Sequence, residues 1–156
     1  MQIVREDNDL PVPQETFSSS RKQYFSTKIL SFILKRINDK SEDKILGVTA
    51  VDLYVPQLNF IFGEAQCPGK IALISSYRLR PESYGHPQNQ DLLIERVTKE
   101  AIHELGHTFG LHHCENPKCV MFFSNRIEDT DEKNAIFCPK CNTLYLYQMN
   151  PRVSRK

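Results

Sequence analysis

The sequence lacks two features that would indicate a membrane protein or a nucleic-acid-binding protein. Nowhere do eighteen apolar residues follow one another, and the first residues contain no apolar stretch of signal-peptide length. The 20 Lys and Arg residues nearly balance the 19 Asp and Glu residues, and the net charge of +1 gives no electrostatic reason to bind nucleic acid or an anionic membrane. We expect a soluble, cytoplasmic monomer with neither nucleic acid nor membrane among its partners.

The length and composition indicate one globular domain. The chain has 156 residues, of which 40% are hydrophobic and 25% are charged, so it can bury a sizeable core. We predict a single domain over residues 1–156. Residues 1–110 would form the sheet and its helices, and residues 111–156 would form a C-terminal subdomain.

Residues 103–113, with the sequence HELGHTFGLHH, carry the strongest functional signal. Residues four apart on an α-helix are separated by about 40° around the axis and about 6 Å along it, so His103 and His107 form a metal-binding pair on one face. Gly110 can end the helix in the left-handed conformation, which allows His113 to return as third ligand. Three nitrogen ligands leave the fourth position of a tetrahedral zinc ion to water, as in a catalytic site.

Glu104 lies about 100° away from the face of His103, so it is badly placed to bind the metal and well placed to take a proton from metal-bound water. A bare HExxH also arises by chance, as two surface histidines and a solvated glutamate. The longer H-E-x-x-H-x-x-G-x-x-H is the metzincin signature and includes the helix breaker that the geometry requires. Because the signature counts three residues from Gly110 to its last histidine, we expect His112 to be an exposed neighbour of the ligand.

Four of the five cysteines have the spacing of a second metal site. Cys114 and Cys119 form a C-x4-C pair, and Cys138 and Cys141 form a C-x2-C pair, which together are typical of a closed zinc knuckle with four thiolate ligands. Disulfide bonds are the alternative, and these are favoured in secreted chains. No motif surrounds Cys67, which we expect to be an unreactive thiol.

These motifs, with Met121 two residues after the second cysteine of the first pair, resemble the archaemetzincin family of zinc metalloproteases. Other stretches fit the same family: Arg21-Lys22-Gln23-Tyr24, Leu46-Gly47-Val48-Thr49, residues 59–65 and Phe123-Ser124-Asn125. The resemblance covers about residues 11–145. It implies two zinc ions per chain, a catalytic one on the three histidines and a structural one on the four cysteines. It also implies that Met121 is the Met-turn residue, a hydrophobic floor beneath the catalytic histidines.

We expect an α+β fold, namely a metzincin-like single domain with a mixed twisted sheet, an active-site helix and a zinc-stapled C-terminal segment. Apolar residues at positions 30, 33, 34 and 37 predict an amphipathic helix capped by Ser26 and ending near Asn38. Residues 45–55, 59–65 and 70–77 are rich in β-branched and aromatic residues and predict three strands, with short connections that suit antiparallel neighbours.

The rest of the chain reads mainly as loops around the active-site helix. Asp91 is a candidate cap for the start of that helix. Residues 78–90, which contain Pro and Gly, predict a loop that borders the cleft, and the polar residues 124–134 predict another between the two cysteine pairs.

An edge strand is expected to bind the substrate. In metzincins the substrate lies antiparallel to such a strand and adds itself to the sheet by main-chain hydrogen bonds. By this resemblance we assign the edge to residues 59–65. The residues expected to contact substrate are Asn59, Phe60, Ile61, Phe62 and Gly63. Periodicity leaves open the alternative that these strands are simply buried.

The predicted function is hydrolysis of peptide bonds in a peptide or protein substrate, with zinc-bound water as nucleophile and Glu104 as general base. The alternative is a zinc-dependent peptide-binding module with little or no turnover. Ligand spacing does not distinguish the two. Glu104 favours chemistry because a pure binder has no need of a general base. Substrate preference, endo- against exopeptidase action and physiological role stay open.

Overall fold

The computed structural model of the chain describes residues 10–36 and 44–149, which form two small sheets and four α-helices. The strands are β1 (Phe17–Ser18), β2 (Gln23–Phe25), β3 (Ile45–Thr49), β4 (Leu53–Tyr54), β5 (Gly63–Ala65) and β6 (Ile71–Ser75). The helices are α1 (Ser26–Leu34), α2 (Gln90–Thr108), α3 (Ile127–Glu132) and α4 (Pro139–Met149). The predicted α+β class is confirmed. None of the helices in the described ranges is long and apolar enough to cross a membrane.

Each sheet has three strands and mixes parallel with antiparallel pairing. The strand orders are β1-β2-β4 and β3-β6-β5. In the second sheet β6 is central, parallel to β3 and antiparallel to β5. All five residues of β6 are buried, as expected for a strand covered on both faces. This arrangement leaves β5 at the edge of its sheet.

The predicted strand over residues 45–55 is wrong in its length, because the chain leaves one sheet and joins the other within it. Between β3 and β4 the Asp52 carboxylate accepts two hydrogen bonds of 2.7 Å from Arg78, and the Val51 carbonyl accepts one of 2.6 Å from Ser75. These contacts hold the chain out of the ladder. The predicted strand over residues 59–65 is likewise reduced to β5, preceded by a single bridge between Ile61 and Leu53.

Helix α1 covers the sheet that contains β6. Its residues Ile29 and Leu30 are buried in a core cluster with Leu53, Ile71 and Leu73. Ser26 is the first helical residue and not the cap; its hydroxyl group donates a hydrogen bond to the Glu64 carboxylate. The helix ends at Leu34, earlier than predicted, and Asn38 itself lies outside the described residues.

Helix α2 packs against β5 and β6 and carries the histidine motif. The cap is Asn89, whose side-chain oxygen accepts a 3.0 Å hydrogen bond from the Leu92 amide, so the prediction of Asp91 is wrong by two positions. Asp91 lies in the first turn, where a carboxylate interacts favourably with the helix dipole.

The C-terminal part of the chain packs around the cysteine pairs. Buried residues of this part form a core cluster: Leu111, Cys119, Val120, Met121 and Cys141. The loop predicted over residues 124–134 contains helix α3, whose residue Ile127 is buried with Phe62 and Leu79. Helix α3 therefore connects the two cysteine pairs and also packs near α2.

Candidate metal centres and active-site cleft

The turn after α2 returns the third histidine to the first two. Gly110 has a φ of +83°, the left-handed conformation that a residue without Cβ adopts easily. Its amide donates to the His107 carbonyl at 2.8 Å, and the Leu111 amide donates to the Gly106 carbonyl at 3.1 Å. This pair of bonds is a Schellman motif, so the chain reverses at the residue that the sequence indicated.

The three histidines converge on one point, with ligand nitrogens within 4.8 Å of one another. His103 Nδ1 donates to the Val120 carbonyl and His107 Nδ1 donates to the Leu111 carbonyl, both at 2.7 Å. Their Nε2 atoms therefore carry lone pairs, and these two atoms face each other at 3.2 Å. Facing lone pairs repel unless a cation lies between them. Two nitrogens on a tetrahedral zinc ion are about 3.3 Å apart, so the site fits zinc.

Burial keeps these imidazoles neutral, which is the form that binds a metal. Loss of solvation lowers the pKa of His103 well below its usual value and lowers the pKa of His107. The same cause lowers the pKa of His113 to about 4. Near neutral pH all three side chains are ready to act as ligands.

Glu104 lies between the histidines and the edge strand. A Cβ atom on Gly63 would lie 2.6 Å from Glu104 Cγ and 2.8 Å from its Oε1, so the strand backbone and this side chain are in contact. Burial raises the pKa of Glu104 well above its usual range; Glu100 acts in the same direction and Lys133 opposes it. A carboxyl group of raised pKa is suited to both taking and giving a proton near neutral pH.

The four cysteines of the two pairs form a second cluster of ligand atoms, again within 4.8 Å of one another. All are free thiols, and the sulfur atoms of Cys114 and Cys138 are 3.8 Å apart. Two thiolates bound to one tetrahedral zinc ion at about 2.3 Å would be separated by about 3.8 Å. A hydrogen bond from the Cys141 amide lowers the pKa of Cys138 to about 7, whereas burial raises the pKa of Cys119 and of Cys141. The geometry fits a closed metal site and not the disulfide alternative.

A cavity of about 760 Å³ opens beside the histidines. The histidines and Glu104 line one side of it. The cavity is also lined by β5 and the segment before it, including Phe60, Ile61, Phe62 and Gly63. Asn59 lines a smaller cavity of about 200 Å³, whose other lining residues, Gln57, Leu58, Phe60 and Asn125, also line the larger one. The structure thus places four of the five expected substrate contacts in the main cavity and the fifth beside it.

Comparison with known proteins decides the family. The model of peptidase family M54 matches residues 4–146, almost the whole chain. The chain belongs to peptidase family M54. As a member of family M54, the chain is a zinc metallopeptidase. This membership confirms the resemblance to archaemetzincins that the motifs indicated.

The relatives of this M54 chain agree with that assignment. Archaemetzincin of Methanocaldococcus jannaschii is 52% identical over 132 residues, which are 85% of this chain and 71% of that protein. Archaemetzincin of Pyrococcus abyssi is 52% identical over 131 residues, 82% of this chain and 68% of that protein. The crystal structure of archaemetzincin from Methanopyrus kandleri matches with a TM-score of 0.79 at 40% identity, over 88% of this chain and 72% of that one. A zinc-dependent peptidase from Methanocorpusculum labreanum matches with a TM-score of 0.80 at 34% identity, over 89% and 82% of the two chains.

Met121 is completely buried, and its side chain packs against helix α2. A Cβ atom on Gly106 would lie 2.5 Å from the Met121 sulfur, so this glycine provides the room for the methionine side chain. Gly106 precedes the ligand His107 in α2. The Met-turn role of Met121 stays a prediction, and this packing supports it.

The loop over residues 78–90 does not border the M54 cleft as predicted. None of these residues, all of which the structure describes, lines the cavity. The loop contains two short 3-10 helices, Tyr77–Leu79 and Pro81–Tyr84, and Leu79 is fully buried. The Tyr84 hydroxyl group donates to the Arg78 carbonyl at 2.8 Å and closes the loop on itself.

Several cavity residues had little or no sequence signal. Cys67 lines the cavity with its sulfur 3.8 Å from Nδ1 of His112, which is exposed as predicted. The Glu64 carboxylate, also in the cavity wall, accepts a 2.7 Å hydrogen bond from Thr27. Helical spacing places Glu100 on the side of the ligands. Glu100 forms an ion pair with Lys133. Nothing in the polar sequence after Met121 indicates that Lys133 is buried.

Proposed function

We propose that this chain hydrolyses peptide bonds of a peptide or protein substrate, with water as nucleophile and Glu104 as general base. We also propose that it holds two zinc ions. The catalytic ion would be bound by His103, His107 and His113, and the structural ion by Cys114, Cys119, Cys138 and Cys141. The observation that carries the proposal is the buried Glu104 carboxyl group, which lies between three converging neutral imidazoles and the backbone of an edge strand.

A zinc ion on the three imidazoles would polarise the scissile carbonyl group and lower the pKa of a water molecule to about 7. Glu104 takes the proton that the attacking water loses and passes it to the leaving amine nitrogen. The Val120 and Leu111 carbonyls fix the tautomers of two ligands, so that their Nε2 atoms stay available.

The substrate is proposed to bind along β5. An edge strand has backbone groups that a further strand can pair with, and the cavity lies along this edge. Gly63 brings the strand against Glu104, so a chain paired there would have its peptide bonds next to the general base. Phe60, Ile61 and Phe62 would contact substrate side chains, and Asn59 would act from the adjoining cavity.

The structural zinc is proposed to hold the C-terminal subdomain, residues 111–156, in place. Four thiolates close all coordination positions, so this ion would contribute binding energy to folding and none to chemistry. Cys114 follows the ligand His113 directly, so the structural site also fixes the third catalytic ligand.

The test is mass spectrometry of a diverse peptide library incubated with zinc-loaded protein, beside a Glu104→Gln variant of equal zinc content. We expect new cleavage products from the unaltered protein and a loss of at least about 100-fold in the variant, because a general base contributes that much or more. Equal product profiles at equal zinc content would overturn the proposal. Peptide capture without cleavage by both proteins would instead support the binding-module alternative.

A further inference from the structure

Lys133 is the largest completely enclosed side chain in the described part of the protein, with 1% of its surface exposed. Its Nζ lies 2.9 Å from a Glu100 carboxylate oxygen and 3.5 Å from the Phe122 carbonyl oxygen. The Glu100 side chain is itself 3% exposed. Removing two charges from water costs more free energy than their attraction often returns, so such a pair is weak evidence for stability. Its position suggests another role.

Glu100 places this ion pair at the catalytic site. It lines the same cavity as the histidines and precedes Glu104 by four residues, so the two carboxyl groups lie on one face of α2. Its oxygen also accepts a 3.1 Å hydrogen bond from Thr130. A carboxylate is a good zinc ligand. An unrestrained Glu100 would therefore compete for the open coordination position that the attacking water needs.

The second partner of Lys133 belongs to the segment that orients a metal ligand. Phe122 follows Met121, and two residues before Phe122 the Val120 carbonyl accepts the Nδ1 proton of His103. The ammonium group thus connects Glu100 of α2 to this segment. Helix α3 positions this side chain, because Lys133 is the residue directly after that helix.

We propose that Lys133 is a positioning residue for the peptidase reaction. Its buried ammonium group, with the Thr130 hydroxyl, holds the Glu100 carboxylate away from the metal site and leaves Glu104 to act on the attacking water. This inference rests on the proposed function.

The chain offers a matched control in Lys99. This lysine is also buried, 4% exposed, and also lies between α2 and α3. Its Nζ contacts Glu95 at 2.6 Å and the Asp131 carbonyl at 3.1 Å, but not Glu100 or Phe122. Replacing either lysine by methionine removes a buried cation from the same interface. Only the replacement of Lys133 releases Glu100.

The experiment compares Lys133→Met with Lys99→Met, both fully zinc-loaded, on a peptide that the library shows to be cleaved. We expect Lys133→Met to lower kcat about tenfold or more while KM changes little, and Lys99→Met to leave kcat within about twofold. Chelator competition, with the cysteine site kept loaded, measures the catalytic-zinc affinity without turnover. We expect Lys133→Met to bind this zinc roughly tenfold more tightly, because Glu100 joins as a fourth ligand.

A suppressor variant separates positioning from folding. In Glu100→Gln/Lys133→Met no buried charge is left unpaired, and an amide is a poor zinc ligand. We expect kcat and zinc affinity to return towards those of the unaltered protein. If Lys133→Met does not fold, Thr130→Val is the alternative test, because this near-isosteric change removes the other hydrogen bond to Glu100. It should also lower kcat and tighten zinc binding, as expected for Lys133→Met.

Three outcomes would overturn the inference. These are equal kcat values for Lys133→Met and Lys99→Met at full zinc loading, a weakened catalytic zinc in Lys133→Met, or a Thr130→Val protein that is unchanged in both readouts. Absence of cleavage by the unaltered protein would instead reject the proposed function. The zinc affinities would still decide the role of Lys133 in that case.

Discussion

At the scale of single residues, the contact between Gly63 and Glu104 makes the strictest demand on residue type. A methyl group at position 63 would lie 2.6 Å from Glu104 Cγ and 2.8 Å from the Leu73 carbonyl oxygen. The Glu104 side chain has to move to relieve the first contact, and β5 has to shift relative to β6 to relieve the second. A misplacement of about 1 Å in an active site can cost about 100-fold in rate, and we expect Gly63→Ala to lose roughly this factor in kcat at unchanged zinc content.

Gly47→Ala is the matched control, since Gly47 lies in β3 of the same sheet. Its new Cβ would come closest to the flexible ends of Leu73 and Ile33, at 3.1 and 3.3 Å, and would make an ordinary van der Waals contact with the Ala72 carbonyl oxygen at 3.7 Å. Steady-state kinetics and metal analysis of both variants check the prediction. If the two variants have the same kcat, the contact between Gly63 and Glu104 is not needed for catalysis.

Residues that act through spacing along one helix could be predicted, and residues that act through distant contacts could not. The intervals between His103, His107 and the glycine that ends α2 are sufficient to place two ligands and the turn. Lys133 is 33 positions from Glu100, in a polar stretch typical of solvated loops, so no local pattern predicts that they meet.

At the scale of elements, the end of α2 determines whether the third ligand reaches the metal. Gly110 and Gly85 both have positive φ, +83° and +76°. Alanine at either position should lower the free energy of unfolding by about 1 kcal/mol, because the left-handed conformation disfavours a Cβ. We expect only Gly110→Ala to weaken catalytic-zinc binding as well, since His113 follows that turn. Urea denaturation and chelator competition measure the two effects, and equal zinc affinity in both variants would contradict the prediction.

The strands show where prediction of secondary structure from the sequence pattern fails. Residues 45–55 have the composition of one long strand, but hydrogen bonds from Arg78 and Ser75 hold the chain out of the ladder between β3 and β4. Those donors come more than twenty residues later. Helix α2 was predictable because its motif is periodic, whereas its cap at Asn89 was missed because a neighbouring Asp has the same capping chemistry.

At the scale of the whole molecule, the cysteine site should control the order of the C-terminal part. We expect Cys138→Ser to lower the melting temperature and the catalytic-zinc occupancy together, because the core cluster beneath α2 contains Met121 and packs against Cys138. Thermal melting and metal analysis check this. Cys67→Ser is the control, since it removes a thiol outside the cluster of four. Normal melting and normal zinc content in Cys138→Ser would show that the two sites are independent.

Because His113 and Cys114 are adjacent, the chain cannot easily gain or lose a residue between them. These two consecutive residues belong to different clusters of ligand atoms, and consecutive Cα atoms are only about 3.8 Å apart. An inserted or deleted residue at this junction would force one cluster to shift relative to the other. Exposed loop tips tolerate such changes, and the turn around Gly85 is of that kind. Length variation among functional members of the family should therefore avoid the bond between residues 113 and 114.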